Sequence, residues 1–378
     1  MNQVVQVGDV LRMDRQPVDI QPEQEYRAFG MRSFGRGTIR YPPTIGSRLT
    51  KLPHFTFNSN ALVLSNIKAW EGAVGVTDEE DAKCVASSRF LFYTPRGEEA
   101  DVRYMRYFFL TRQGLGEIGK ASRGSADRNR TLSIRAFEQI KIPLPRPVEQ
   151  RRIADKLDAA MGSIARVVQL KKESDAVVRQ HADALFGSIA KQRPLSSVLD
   201  ESHDFVGVSP ENTYRTAGIL NRGRGLFLRP VILGKETKYP RYNQLKSQQF
   251  VYSKLFGWEG SLAVVPEDFA GVHVSHEFPT FDIDKDVADI SYMTHLARWD
   301  GLHHRLKDQG SGMGSRRQRI NVSRLLATEV PLPSLAEQRR VAERLTLAQR
   351  VAEASARQVA DLETLRKVLL NAAFSGRL

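Results

Sequence analysis

The sequence predicts an α+β protein built as two tandem globular domains, each followed by a long α-helix, with the two helices pairing as an antiparallel coiled coil. Three observations predict it. One register of self-similarity runs through most of the chain, the first part of each repeat mixes short β-rich runs with turn residues, and two long proline-free stretches carry apolar residues three and four apart.

The repeat comes first. Ile142-Pro143-Leu144-Pro145-Arg146-Pro147-Val148-Glu149-Gln150-Arg151-Arg152-Ile153-Ala154-Asp155-Lys156-Leu157 aligns with Val330 through Leu345, and 9 of the 16 positions are identical, against about one by chance. The offset is 188 residues, and it holds far upstream without a gap. Trp70-Glu71-Gly72 meets Trp258-Glu259-Gly260, Gly35-Arg36-Gly37 meets Gly223-Arg224-Gly225, Tyr26-Arg27 meets Tyr214-Arg215, and Pro22-Glu23 meets Pro210-Glu211. Downstream, Phe186 meets Phe374. Two long repeats, rather than many short ones, predict two-fold pseudosymmetry. The boundaries read as a globular domain over 1–146, a helix over 147–192, a second domain over 193–333 and a second helix over 334–378.

Within the globular parts, Phe55-Thr56-Phe57, Ala61-Leu62-Val63-Leu64 and Phe250-Val251-Tyr252 predict strands, and Asp101–Thr111 predicts a helix. Trp70 and Trp258, flanked by strand-like runs, read as core residues. The long helices have start signals. Pro147 suits a first helical position, with Glu149 near the positive end of the dipole, and Ser334-Leu335-Ala336-Glu337 has the form of a capping box. The seam of the first helix is Ile153, Leu157, Ala160, Ile164, Val167, Lys171, Ser174, Val178, His181 and Leu185. That of the second is Val341, Leu345, Ala348, Ala352, Ser355, Val359, Leu362, Arg366, Leu369 and Ala373. Alternating steps of four and three give the 3.5-residue period of a coiled coil, in rods of roughly 60 Å. Lys171, Ser174, His181 and Arg366 interrupt the apolar seam. Either each helix packs on its own domain, or the two pair and the polar residues fix register.

Bulk properties narrow the function classes. A formal charge of +13 and a pI near 9.9 suit a polyanionic partner. Cys84 is the sole cysteine, which excludes an intramolecular disulfide or a site of several thiolates. No run of about 18 apolar residues exists, and Met1-Asn2-Gln3-Val4-Val5 has no signal-peptide character, so the expected location is cytoplasmic.

No catalytic or metal residues are assigned. Arg40-Tyr41-Pro42-Pro43-Thr44 only superficially resembles an amino-methyltransferase signature, no Walker A loop occurs, and Glu236-Thr237-Lys238 is a short nuclease-like tail whose counterpart is Arg48-Leu49-Thr50. His273, His276, His303 and His304 have no histidine twins one repeat upstream. The basic residues, by contrast, cluster in pairs. Arg32, Arg36, Arg40 and Arg48 are matched by Arg222, Arg224, Arg229 and Lys235. Lys120, Arg123, Arg128 and Arg130 precede the first long helix as Arg316, Arg317 and Arg319 precede the second. Clusters of this kind in Gly- and Ser-rich loops are expected DNA contacts.

The strings Pro143-Leu144-Pro145…Glu149-Gln150-Arg151-Arg152-Ile153 and Pro331-Leu332-Pro333…Glu337-Gln338-Arg339-Arg340-Val341, each opening a long helix, resemble the specificity subunits of type I restriction–modification systems, as does Ala373-Phe374-Ser375-Gly376-Arg377-Leu378. The chain departs from the family's frequent Ser-Arg-Thr-Gly type run before each Trp-Glu-Gly, with Leu64-Ser65-Asn66-Ile67 and Tyr252-Ser253-Lys254-Leu255 instead. The resemblance implies two target-recognition domains reading the halves of a split, asymmetric sequence in double-stranded DNA, separated by spacer helices. It implies two docked modification (methyltransferase) subunits carrying S-adenosylmethionine, ATP-dependent restriction (translocase–nuclease) subunits, and no cofactor in this chain. The alternatives are a nuclease using the carboxylates and histidines of the second copy, against which the missing motifs speak, and a non-catalytic scaffold, against which the paired arginines speak.

Overall fold

A computed structural model describes residues 3–124, 130–308 and 319–375, with backbone alone at Arg123 and Asp308. Helix makes up 43% and strand 24%, and the named strands pair only antiparallel, in small sheets, which settles the class as α+β. The chain divides into two compact units, Met1–Val168 with Val359–Leu378, and Gln169–Gln358.

In the first unit a four-stranded sheet runs in the order Val74–Val76, Leu62–Ser65, Phe90–Pro95, Leu11–Met13. Leu62–Ser65 is wholly buried, as its unbroken apolar run requires. Asp101 starts the helix Val102–Leu110 by accepting from the amides of Arg103 and Tyr104. Thr111 then takes extended backbone and caps the next helix, Arg112–Ala121, accepting from Gly114. The core joins Leu64, Tyr93, Met105, Phe108 and Phe109 to Ile153 and Leu157 of the long helix Pro147–Gly187, and to Leu370 and Ala373 of the long helix Leu335–Phe374.

The second unit repeats this. Its sheet order is Leu262–Val264, Phe250–Tyr252, Thr280–Ile283, Leu199–Glu201, and Asp289 caps the helix Ile290–Arg298. Its core contains Phe186 from the end of the first long helix beside Val341, Ala342 and Leu345 from the start of the second. In each unit, then, the start of one long helix lies beside the end of the other, which is antiparallel pairing. The first long helix ends at Gly187, and Gln192 instead opens a strand, Gln192–Pro194, paired with Glu329–Pro331.

Every predicted seam residue of the second long helix is buried or half-buried. In the first, Val167 and His181 are exposed, and Val168 and Ala182 are turned inward in their place. A straight helix of 3.6 residues per turn drifts about 20° per heptad from a 3.5-residue seam, so the inward position slips by one residue after a few turns. The polar seam residues are accommodated locally. Lys171 pairs with Asp175 one turn on, and Arg366 leaves the seam for a loop described below.

The repeat is legible in backbone conformation as well. Five left-handed positions, Phe34, Gly35, Gly37, Asn60 and Gly72, recur at the same offset as Arg222, Gly223, Gly225, Gln248 and Gly260, while left-handed Gly271 has no such twin at Lys83. The glutamine of the repeated Glu-Gln-Arg-Arg string is fully buried in both copies. Gln150 donates to the carbonyls of Glu99 (2.7 Å) and Pro145 (2.8 Å) and accepts from the Asp101 amide (2.8 Å). Gln338 does the same with Val287 (2.9 Å), Pro333 (3.0 Å) and Asp289 (2.9 Å). Each glutamine thus clips the capped domain helix to the first turn of the long helix and leaves no polar atom of its amide unpaired.

Candidate nucleic-acid interface

All but one residue of the first basic cluster of each copy lies on or beside a β-hairpin. Strands Phe29–Met31 and Thr38–Arg40 pair in the first unit, and Ala217–Ile219 and Leu226–Leu228 in the second. Short loops between these strands need the left-handed backbone that Gly35, Gly37, Gly223 and Gly225 supply. The loops are fixed to the Trp-Glu-Gly segment by matching hydrogen bonds. The amides of Phe34 and Gly35 donate to Glu71 (2.9 Å) and Gly72 (2.7 Å), and those of Arg222 and Gly223 donate to Glu259 (2.8 Å) and Gly260 (2.7 Å). Glu71 also accepts from Lys68 and from Ser33, and the Lys68 bond lowers its pKa, which keeps it anionic.

The hairpin arginines are exposed but differ in freedom. Arg32 donates to the Thr38 carbonyl at 3.1 Å, and the Arg36 guanidinium sits 5.7 Å from the centre of the Phe34 ring. Arg40 is held by Asp78 and Asp81, each at 3.4 Å. In the second unit, Arg224 donates to the Asn221 carbonyl at 3.0 Å, and Arg229 lies 5.9 Å from the Phe227 ring. Arg48 and Lys235 are exposed on the matching single turns Gly46–Arg48 and Gly234–Glu236.

The second cluster is less uniform. Arg123 lies in the short strand Ser122–Arg123, Lys120 pairs with Glu117, and Arg130 stands 5.1 Å from the half-buried Trp70 ring. Arg319 is gripped by both oxygens of Glu277, at 2.6 and 2.8 Å, so a phosphate or base would have to compete with that carboxylate. Arg128, Arg316, Arg317 and residues 376–378 lie outside the described residues.

Trp70 and Trp258 are half-buried against the two cores, their indole N–H groups spent on the carbonyls of Ile67 and Leu255. Glu236 accepts from the Leu233 amide as a turn residue. The histidines do not converge. His273 lies against the Arg215 carbonyl, His276 against Glu277, and buried His303 against the Ala297 carbonyl at 2.8 Å. Among the described residues no three His, Cys, Asp or Glu side chains gather as a metal site. Cys84 is buried, which raises its thiol pKa. No helix of the described residues is long and apolar enough to cross a membrane.

Two junctions between domain and long helix went unread in the sequence. In the first unit, Tyr107 donates to Asp158, and Arg366 donates to the carbonyls of Phe34 (3.0 Å) and Gly35 (3.1 Å). In the second, the position of Tyr107 is His295, bonded to Thr346 at 2.9 Å, and that of Arg366 is Val178. A cavity of about 410 Å³ borders the Arg366 contact, lined by Phe34, Leu110, Leu115 and Leu370 among others. Repeated glycines at the hairpins were the available signal for the clamp. The sequence marks Arg366 only as a polar break in the apolar seam, and nothing local points to the loop it reaches.

No protein-family model matches the sequence, and no curated protein does. By structure the chain is similar to one from work on complex assembly and conformational transition of the type I restriction–modification system, at 16% identity and TM-score 0.59, over 100% of this chain and 98% of that one. It is similar to the S subunit of a type I restriction–modification system from M. genitalium, at 13% identity and TM-score 0.53, over 98% and 96%. The HsdS subunit from Thermoanaerobacter tengcongensis superposes more loosely, at 17% identity and TM-score 0.44, over 100% and 97%. The likeness of fold rests on the first two, and it meets the resemblance drawn from the repeated motifs.

Proposed function

We propose that the chain is the DNA-reading specificity subunit of a type I restriction–modification complex. Residues 1–146 and 193–333 are its target-recognition domains, and the stretches 147–192 and 334–378 carry its spacer helices, Pro147–Gly187 and Leu335–Phe374. The observation that carries this is the pair of basic hairpins, alike in backbone and clamp yet differing in most side chains around a shared Gly-Arg-Gly. Reading two different half-sites needs a constant scaffold under varied base-facing groups. The target is therefore bipartite and asymmetric. Of the residues above, Arg36, Arg48, Arg222, Arg224 and Lys235 serve as primary contacts. Arg32, Arg40, Arg123, Arg128, Arg130, Arg229, Arg316, Arg317 and Arg319 complete the DNA-facing set.

The long helices dock the two modification subunits. Their outer faces keep aliphatic side chains in solvent, including Leu170 (63% exposed), Val177 (62%) and Leu347 (65%), and Val177 and Leu365 are repeat twins. Such exposed apolar positions on an otherwise polar helix suit a protein partner. The chain itself is non-catalytic. S-adenosylmethionine and ATP belong to the modification and restriction subunits, and the complex is cytoplasmic.

Co-expression with a candidate modification subunit, followed by mapping of methylated genomic positions, tests the reading. A single bipartite motif is the expected result, and absence of methylation with every partner overturns it.

A further inference from the structure

We propose that positions 34 and 222 are equivalent base-reading slots, one presenting a phenyl ring and the other a guanidinium from the same left-handed backbone; this rests on the DNA-reading function above. Three of the five repeated left-handed positions keep glycine in both copies, and a fourth exchanges Asn60 for Gln248. Only the fifth holds two bulky, chemically opposite residues, Phe34 at φ 62° and Arg222 at φ 59°. Bulky side chains rarely adopt this conformation, and residues held there against strain concentrate where a side chain has a task.

The surroundings over-determine both slots. The amide of each slot residue, and the next one, is hydrogen-bonded to the Glu-Gly carbonyls at 2.7–2.9 Å. In the first copy Arg366 also grips both slot carbonyls. The side chains nonetheless point outward, Phe34 being 62% exposed and Arg222 exposed as well. Each slot lies at the tip of a two-stranded ribbon with an exposed arginine two residues on, Arg36 or Arg224. A two-stranded ribbon fits the major groove of DNA. There an apolar ring contacts the thymine methyl group, and a guanidinium takes the two acceptors of guanine. Phe34 accordingly selects an A·T pair in one half-site, and Arg222 a G·C pair in the other.

The full chain, assembled with its modification subunits, is compared with Phe34→Gly, Phe34→Arg and Arg222→Phe by methylation mapping and thermal unfolding. Phe34→Gly is expected to keep or raise the unfolding midpoint, because glycine is at ease in the left-handed region. At the same time it should lose roughly tenfold selectivity at one A·T position of a single half-site. Phe34→Arg moves that position toward G·C, and Arg222→Phe alters only the other half-site. If the wild type yields a bipartite motif and the variants leave every base preference unchanged, the slots do not read bases. If Phe34→Arg abolishes assembly while Phe34→Gly assembles and leaves every base preference unchanged, position 34 is a protein contact, and the proposal also fails. A wild-type assembly that yields no bipartite motif overturns the functional reading itself.

Discussion

The two units share a frame and differ at its margins. The glutamine clips that tie each domain helix to its long helix are the same in both, with Gln150 and Gln338 each making three equivalent bonds. Where a domain helix meets a long helix, Tyr107–Asp158 in one unit becomes His295–Thr346 in the other. At the hairpin tips, Phe34 becomes Arg222. Burial alone does not decide which contacts are kept, since Tyr107 and His295 are both buried. Gln150 and Gln338 each satisfy three backbone groups that have no other partner among the described residues, whereas a pair of facing side chains can be exchanged together with both ends still bonded.

The equivalence of the clips is the first thing to break. Gln150→Ala and Gln338→Ala each leave a half-buried amide N–H and two carbonyls without their partner, at a cost of about 2 kcal/mol. Hydrogen exchange resolved to each unit should show equal losses, each confined to its own unit; a twofold inequality would mean that the two frames are not energetically alike.

Acid should separate the units next. Burial holds the His295 pKa down to about 4 and lowers that of His303, both in the second unit, where Tyr107 and Leu115 are the first-unit twins; in the first unit burial lowers that of His54. The folded state keeps these rings neutral, while the unfolded chain takes up protons near the ordinary histidine value of about 6.5. Stability of the second unit is therefore full above that pH and falls as pH drops through it, by about 2 kcal/mol for His295 between pH 7 and 5. Unfolding of His295→Gln, compared with wild type across that range, should show the slope flattened for the second unit; an unchanged slope would assign the acid sensitivity elsewhere.

Arg366→Ala is expected to cost about 1 kcal/mol, and to speed amide exchange at Phe34 and Gly35 while leaving Arg222 and Gly223 as they were. Acceleration in both hairpins would show that Arg366 acts on the whole molecule rather than on one loop. The smallest effect expected is at the level of single phosphates. Arg36→Ala should reduce the salt dependence of DNA binding by about one unit of slope. Arg319→Ala should reduce it by less, because Glu277 already neutralises that guanidinium. Equal slopes would place the Arg319–Glu277 pair apart in the DNA-bound form.

Much of the fold could be read from sequence because its signals are periodic. A fixed offset needs only residue identity, and the seam needs only apolar spacing, so both hold without knowledge of the tertiary structure. The seam failed at Val167 and His181, where a straight helix outran the 3.5-residue period. The candidate site was legible as pairs of basic clusters, but the freedom of each arginine was not. Glu277 and Arg319 are 42 residues apart, and only the fold brings them together. The left-handed slots were half visible, through Gly35 and Gly223. Phe34 and Arg222 themselves share no side-chain property that could have marked them.

The first unit is discontinuous in sequence, and this bears on the order of its making. Residues 169–358 form the second unit without interruption, so that unit can close as it leaves the ribosome. The first unit, although synthesised earlier, lacks Leu370, Ala373 and Phe374 from its core until the second has been made. Until then Tyr104 and Phe108, which pack on the Phe374 ring, remain uncovered, and the nascent chain carries an apolar face for a chaperone to shield. A nonsense mutation between residues 359 and 374 would thus be felt first at the opposite end of the chain.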